Sequence, residues 1–342
     1  MTTTDTLRPL AVTAPRRRRW TDPRILPTVA AVAILAVMLV YGQIAYGKIF
    51  QLNTVSNLLI NNSYLVILAV GLTFVILAGG IDLSVGAVVA FTSVSGVMLV
   101  GAGVPPVLAM VLMVATGALF GLMSGVLVQY FDVQPFIATL AMMFLARGLA
   151  SILSTAPERL SDDSGFRSLA TEIKLIDGPK LNDLVVTPNV LIAVLVVLIG
   201  FLLLHRTRFG RTVYAIGGSE QSATLMGLPV ARTKLWIYVV SGTCAGLSAV
   251  VYTSKLGIAQ NITGTGWELD AIAATVIGGT LLTGGAGFVL GSVVGALVLG
   301  LMNVLITRDG SIPAEATTII TGVILLAFVL LQRAVVRTRR LE

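Results

Sequence analysis

The chain has 342 residues, 56% of them hydrophobic and only 11% charged, with a formal net charge of +7. Soluble domains carry about 25% charged residues, so this composition excludes an ordinary soluble protein. Apolar runs of roughly 20 residues recur from end to end, which implies an all-α integral membrane protein, and the arginines sit beside those runs, which marks topology and excludes nucleic acid as a partner.

Residues 1–24 are polar and contain the block Arg16–Arg19 directly before the first apolar run, with no cleavable signal pattern. By the positive-inside rule this basic segment is cytoplasmic. Ten spans follow within a transmembrane domain over residues 25–332: Leu26–Tyr46, Asn57–Ala78, Ser84–Val100, Val107–Tyr130, Phe136–Leu153, Asn189–His205, Leu235–Ser254, Leu269–Thr283, Phe288–Ile306 and Ala314–Leu331. Span eight is short, reaching about 22 Å at 1.5 Å per residue against a bilayer core of about 30 Å. Residues 154–188 form a net acidic, external loop. Residues 206–234 hold Arg206, Arg208, Arg211, Arg232 and Lys234 against the single acid Glu220, and are cytoplasmic. The basic tail 333–342 returns to the cytoplasm, as ten crossings require.

Two halves echo each other. "IDLSVGAVVAF" opens span three and "LDAIAATVIGG" opens span eight, setting Asp82 and Asp270 just before matching helices. Gly117, Gly121 and Gly125 in span four answer Gly287, Gly291 and Gly295 around span nine, each a doubled GxxxG ridge that allows close helix approach. Spans two to five are thus repeated by seven to ten, and the odd span six inverts the second copy, a transporter arrangement with the pathway along the repeat interface.

The chain carries no GxxxxGK[ST], HExxH, CxxC or GxSxG pattern, so no ATPase, metal or nucleophile chemistry is indicated, and neither a cofactor nor a metal is expected. Cys244 is alone in an apolar run and His205 sits at a span end. Carboxylates lie at breaks rather than span centres, which disfavours a carrier run on an ion gradient. The stretch "GGSEQSATLMGLPVARTK" reads as a short helix in the cytoplasmic loop. Ser219 is a suitable N-cap, Glu220 complements the positive end, and Gly227 followed by Pro229 ends it.

"LAGGIDLSVGAVVAF", "RTRFGRTVYAIGGSEQSATLMG" and "ELDAIAATVIGGTLLTGGAGFVLGSVVG" together resemble the permease subunits of bacterial ABC sugar importers, the ribose, arabinose, xylose and galactofuranose group, over about Leu52–Arg333. "HRTRFG", "GGTLLTGG" and "LLAFVLLQR" look closest to a galactofuranose permease subunit. The resemblance implies a ten-helix fold of the vitamin B12 importer (type II) class in the inner membrane. It implies three partners: a second permease, identical or a sister subunit; a cytoplasmic ATPase docked on the loop helix; and a periplasmic sugar-binding protein reaching the loop 154–188 and residues 255–267. The permease itself is not an enzyme. Glu220, Ala223 and Gly227 fit the family's E-A-A---G coupling pattern, while Ser222 departs from it. Replacing Glu220 and Gly227 is expected to uncouple ATP hydrolysis from uptake.

Path candidates are Asn57, Asn61, Asn62 and Thr73 on span two, Asp82 and Ser84 at the break, Thr139 on span five, and Asp270. Asn57 and Asn61 share a helix face, and a buried amide there serves either sugar or a neighbouring helix. Asp82 reads first as the cap of span three, with Gly79 and Gly80 permitting the turn, and second as a sugar contact. Rival readings are a branched-chain amino-acid permease, an ion-coupled carrier and a membrane enzyme, the last requiring a cluster of catalytic groups that the sequence does not display.

Overall fold

The computed structural model describes residues 26–338, apart from residues 48, 162–164, 177–182, 311–312 and 314–315. The basic segment 1–24 and the last four residues of the tail lie outside the described residues. Twelve α-helices are described: α1 (Leu26–Tyr46), α2 (Leu52–Leu77), α3 (Val85–Gly101), α4 (Pro106–Tyr130), α5 (Pro135–Leu153), α6 (Pro188–Arg206), α7 (Arg208–Gly218), α8 (Glu220–Leu225), α9 (Val230–Leu256), α10 (Trp267–Ile277), α11 (Val289–Asp309) and α12 (Ala316–Thr338). Four short strands accompany them: β1 (Glu158–Arg159), β2 (Ile173–Ile176), β3 (Leu184–Val186) and β4 (Ile258–Ala259). Among the described residues, seven helices are long and apolar enough to cross a membrane, and α3 and the start of α12 are shorter apolar helices.

The bundle has two ends. At one, β1 pairs antiparallel with β4 and β2 with β3. The connectors 154–188 and 257–266, both expected on the outside, therefore meet there. At the other end lie α7 and α8. The α2 helix runs from the strand end, where the Val185 amide donates to Ser56 Oγ at 2.8 Å, to the α8 end, where the Gly285 amide donates to Leu77 O at 2.9 Å. It is apolar on nearly all sides and correspondingly buried from Asn62 to Leu77 except at Tyr64, as a helix without a polar face must be.

The inverted repeat is visible in the packing. Helix α3 packs on α4, α5 and α9, and α10 packs on α11, α12 and α2. Helix α4 packs on α9 as α11 packs on α2. The two first members run oppositely, since α9 begins after α8 and ends at β4 while α2 begins at the strand end.

Three expectations need correction. Span eight is helical only over Trp267–Ile277, about 17 Å at 1.5 Å per residue. Trp267 stacks on Tyr64 with ring centroids 4.2 Å apart, and Tyr64 lies about 18 Å along α2. Helix α10 thus starts at mid-depth, and residues 257–266 dip in from the strand end to reach it. Helix α3 is likewise reached by an extended lead-in from the other end. Each lead-in is anchored by buried residues, Gly80, Asp82 and Ser84 before α3 and Gly257, Ala259 and Gly264 before α10, and irregular backbone at membrane depth requires such cover from protein or a lined cavity.

The two aspartates do not match. Asp82 precedes α3, but Asp270 is the fourth residue of α10, in its first turn. Nor are the glycine ridges equivalent. A Cβ on Gly117 would lie 2.4 Å from Gly242 O of α9, whereas one on Gly295 would lie 1.9 Å from Ala274 O of α10. The repeat is one of helices and contacts, with different close-packing seams in each copy.

Candidate translocation and docking sites

The polar candidates separate into three places. The first is a cavity of about 430 Å³ at the strand end, between α2 and α11. Asn57, Asn61 and Asn62 line it from α2, with Thr54 and Tyr64, and Asn303, Thr307 and Arg308 line it from α11. Helical periodicity puts Thr54, Asn57 and Asn61 on one stripe. The Asn57 amide donates to Asn53 Oδ1 at 2.9 Å, the Asn62 amide to Leu58 O at 2.8 Å, and Lys255 Nζ donates to Asn61 Oδ1. Arg308 donates to Thr54 Oγ1 at 2.9 Å across the mouth. The α11 contribution was not read from sequence, because Asn303 to Arg308 look like the frayed end of a span. Their spacing of four and five residues was the available signal.

Deeper in, the route between α2 and α11 is shut. Thr73 Oγ1 donates to Ala69 O at 2.6 Å and lies 2.7 Å from Ser292 Oγ. Thr275 Oγ1 donates to Ala271 O at 2.7 Å beside them. Thr73 and Ser292 are wholly buried, so Thr73 fastens two helices and does not line the cavity. It lies about 16 Å below Asn62 along α2.

Asp82 forms the second place. Only 1% exposed, it accepts three hydrogen bonds: Oδ1 from the Ser84 amide at 2.9 Å and from Ser84 Oγ at 2.6 Å, and Oδ2 from Ser241 Oγ of α9 at 2.7 Å. Gly79, at φ +80°, makes the turn that leads the chain there. Thr139 Oγ1 donates to Pro135 O at 2.8 Å and reaches Ile81 O at 3.3 Å. The expected cap is corrected in one respect. Asp82 holds Ser84, just before the helix, and ties the lead-in to α9, rather than bonding the first amides of α3. Asp82, Ser84 and Thr139 are thus a buried tether away from the cavity. Asp270 joins neither group. It is half-buried in the first turn of α10.

Asp82→Ala leaves three buried donors without an acceptor, each costing about 1–3 kcal/mol. We expect it to lose at least about 3 kcal/mol of stability, and Asp82→Asn, which keeps one acceptor oxygen, to lose less. Detergent-solubilised thermal unfolding checks this. Equal midpoints for wild type and Asp82→Ala would remove the tether from the account.

The third place is α8. Ser219 caps it, accepting from the Ser222 amide at 3.2 Å. At its end Gly227, at φ +72°, donates to Thr224 O at 2.9 Å and Leu228 donates to Ala223 O at 3.1 Å, the paired bonds of a Schellman ending. Glu220 pairs with Lys234 at 2.9 Å, and Ala223 is fully buried against Ile216 and Val230. Ser219, Glu220, Ala223 and Gly227 therefore build and seat the helix, and what it presents outward is Leu225, 89% exposed, and Met226, 66% exposed. Sequence reading missed these two and missed α7, whose Thr207 cap accepts from the Gly210 amide at 3.2 Å.

Helix α7 connects α8 to the bundle. At Gly217 a Cβ would meet Leu77 O at 1.8 Å and the Gly285 nitrogen at 2.4 Å, so α7, the end of α2 and the turn before α11 touch backbone to backbone. Tyr214 adds a bond to Gly287 O at 2.6 Å, and burial pushes its hydroxyl up to about 12.

The chain is thus a membrane bundle with a polar cavity at one end and an exposed apolar tip at the other. Residues 54–329 match the family described as "Branched-chain amino acid transport system / permease component", and the chain belongs to that family. It is a multi-pass ABC permease component, the transport subunit of a system whose ATPase site lies elsewhere. It is 52% identical to the fructose import permease protein FruG of Bifidobacterium longum over 95% of both chains. It is 38% identical to the inner membrane ABC transporter permease protein YjfF of Escherichia coli K12, over 91% of this chain and 92% of that one. It is also 38% identical to the ribose import permease protein RbsC of the same strain, over 84% of this chain and 88% of that one. No solved structure matches the chain.

Proposed function

We propose that the chain carries a monosaccharide inward across the bacterial inner (plasma) membrane, with fructose its leading substrate. The carrying observation is the 52% identity to a fructose import permease over 95% of each chain. The amide-lined cavity supports it, since amide groups suit the vicinal hydroxyls of a sugar and an aromatic ring suits its apolar C–H face. The strand end is external, facing a sugar-binding protein. The α8 end and both termini are cytoplasmic, as the basic residues of 206–234 favour.

The mechanism is alternating access. A cytoplasmic ATPase grips Leu225 and Met226. Its closure displaces α8 and α7, and the junction of Gly217 with Leu77 and Gly285 passes the movement to α2 and α11. The Thr73–Ser292 fastening is the first contact that such movement would open. A second permease, a copy or a sister chain, completes the complex.

Vesicles holding the chain with its ATPase and binding protein test this. Labelled fructose should enter only with internal ATP and be blocked by excess unlabelled fructose. The galactofuranose assignment, which rests on "GGTLLTGG" and its neighbours, requires galactofuranose to compete better. A branched-chain amino-acid substrate, favoured by the family's own description, requires leucine to do so. Uptake without any ATPase would overturn the ABC reading in favour of an ion-coupled carrier.

A further inference from the structure

Beside α8 the bundle carries a second cavity, about 740 Å³, where α7 meets the start of α9. Arg208 and Arg211 of α7 and Arg232 of α9 line it, with Phe209, Pro229 and Trp236 as an apolar wall. All three arginines are exposed. Among the described residues, no carboxylate is paired with any of these three guanidinium groups, while the neighbouring Lys234 is taken up by Glu220.

We propose that this cavity binds the phosphate headgroup of an anionic membrane phospholipid. Arg232 and Trp236 are four apart and share one face of α9, and Trp236 is 55% exposed on that face. It lies about 9 Å beyond the helix start at Val230 and about 6 Å beyond Arg232, further along α9 into the bundle. The site therefore spans two layers, cationic above and aromatic below, the order of headgroup and interface in a bilayer. A free phosphate ion fills little of the volume and leaves the apolar wall of Phe209, Pro229 and Trp236 uncovered. An anionic amphiphile satisfies both. The inference rests on the membrane reading of the fold and is independent of the transported solute.

Native mass spectrometry of the delipidated full chain, titrated with phosphatidylglycerol or phosphatidylcholine, tests it. Phosphatidylglycerol should bind more tightly. R208Q/R211Q/R232Q should lose on the order of 100-fold of that affinity, since each basic residue beside an anionic surface contributes roughly fivefold. W236A should weaken binding with no change of charge. Where the triple variant fails to insert, R232Q alone should still lose roughly fivefold. Equal binding of the two lipids, unchanged phosphatidylglycerol affinity in R232Q and W236A, or displacement of the lipid by inorganic phosphate would each overturn the proposal, the last by making the site one for free phosphate.

Discussion

Replacing Leu225 and Met226 together with aspartate is expected to reduce ATP-driven uptake at least about 100-fold, while the chain still inserts and folds. The magnitude follows from apolar burial: a Leu or Met side chain transferred into a contact contributes about 1.5–3 kcal/mol, and a buried, unpaired charge costs more. Folding should be spared because neither side chain supports the helix that carries it. Leu225 is 89% and Met226 66% exposed, whereas the helix is held by Ser219, by the Schellman bonds at Gly227, by buried Ala223 and by the Glu220–Lys234 pair.

The same geometry reassigns the effect of altering Glu220 and Gly227. Gly227→Ala strains a residue at φ +72° and should loosen α8, and Glu220→Gln removes a pin that is half in solvent. Both should weaken coupling by softening the helix, and Glu220→Gln by little, as exposed ion pairs contribute about 0–1 kcal/mol. Co-purification of the ATPase with each variant, read beside uptake, separates the cases. An L225D/M226D variant that retains both ATPase and uptake would show that the coupling surface lies elsewhere on the loop.

What could be read in advance divides by range. The ends of α8 were legible because caps are local: a serine before the helix, a glycine and a proline after it. The long spans were legible because a bilayer imposes length and apolarity. Helix α7 was missed although Phe209, Thr212, Val213 and Ile216 repeat at helical spacing, because two glycines at its end and two arginines at its start read as loop. The depth at which α3 and α10 begin was not legible at all. It is set by the stacking of Tyr64 on Trp267 and by the approach of Gly86 to Gly264, contacts between residues about 200 positions apart. For the same reason Asp82 and Asp270 looked alike. Each stands near a helix start, but only Asp82 has a serine from another helix, Ser241, to hold.

Along the seam between α4 and α9 a single methyl group should damage the fold severely. A Cβ on Gly121 would lie 2.2 Å from Tyr238 O, one on Gly117 2.4 Å from Gly242 O, and one on Gly125 2.9 Å from Leu235 O. These are backbone oxygens on a helix, which cannot rotate away as a side chain could, so the two helices must separate and lose the packing on both sides of the seam. Gly121→Ala is therefore expected to cost more than about 3 kcal/mol, at the upper end for overpacking. Gly148 on α5 has nothing within 4 Å of the same added atom, and alanine there should stabilise by about 0.5–1 kcal/mol through helix propensity alone. The series Gly121, Gly117, Gly125, Gly148 should thus run from severe loss to slight gain in thermal unfolding midpoint, even if the first variant is recovered only in traces. Midpoints that ignore this order would show that α4 and α9 are not held at the spacing described. The seam also bears on the proposed coupling, because α9 begins directly after α8 and carries Lys234, which pins Glu220. Loosening α4 from α9 should let the start of α9 follow α8 without moving the bundle. Gly125→Ala, the mildest of the three, should accordingly lower uptake more than its loss of folded protein accounts for.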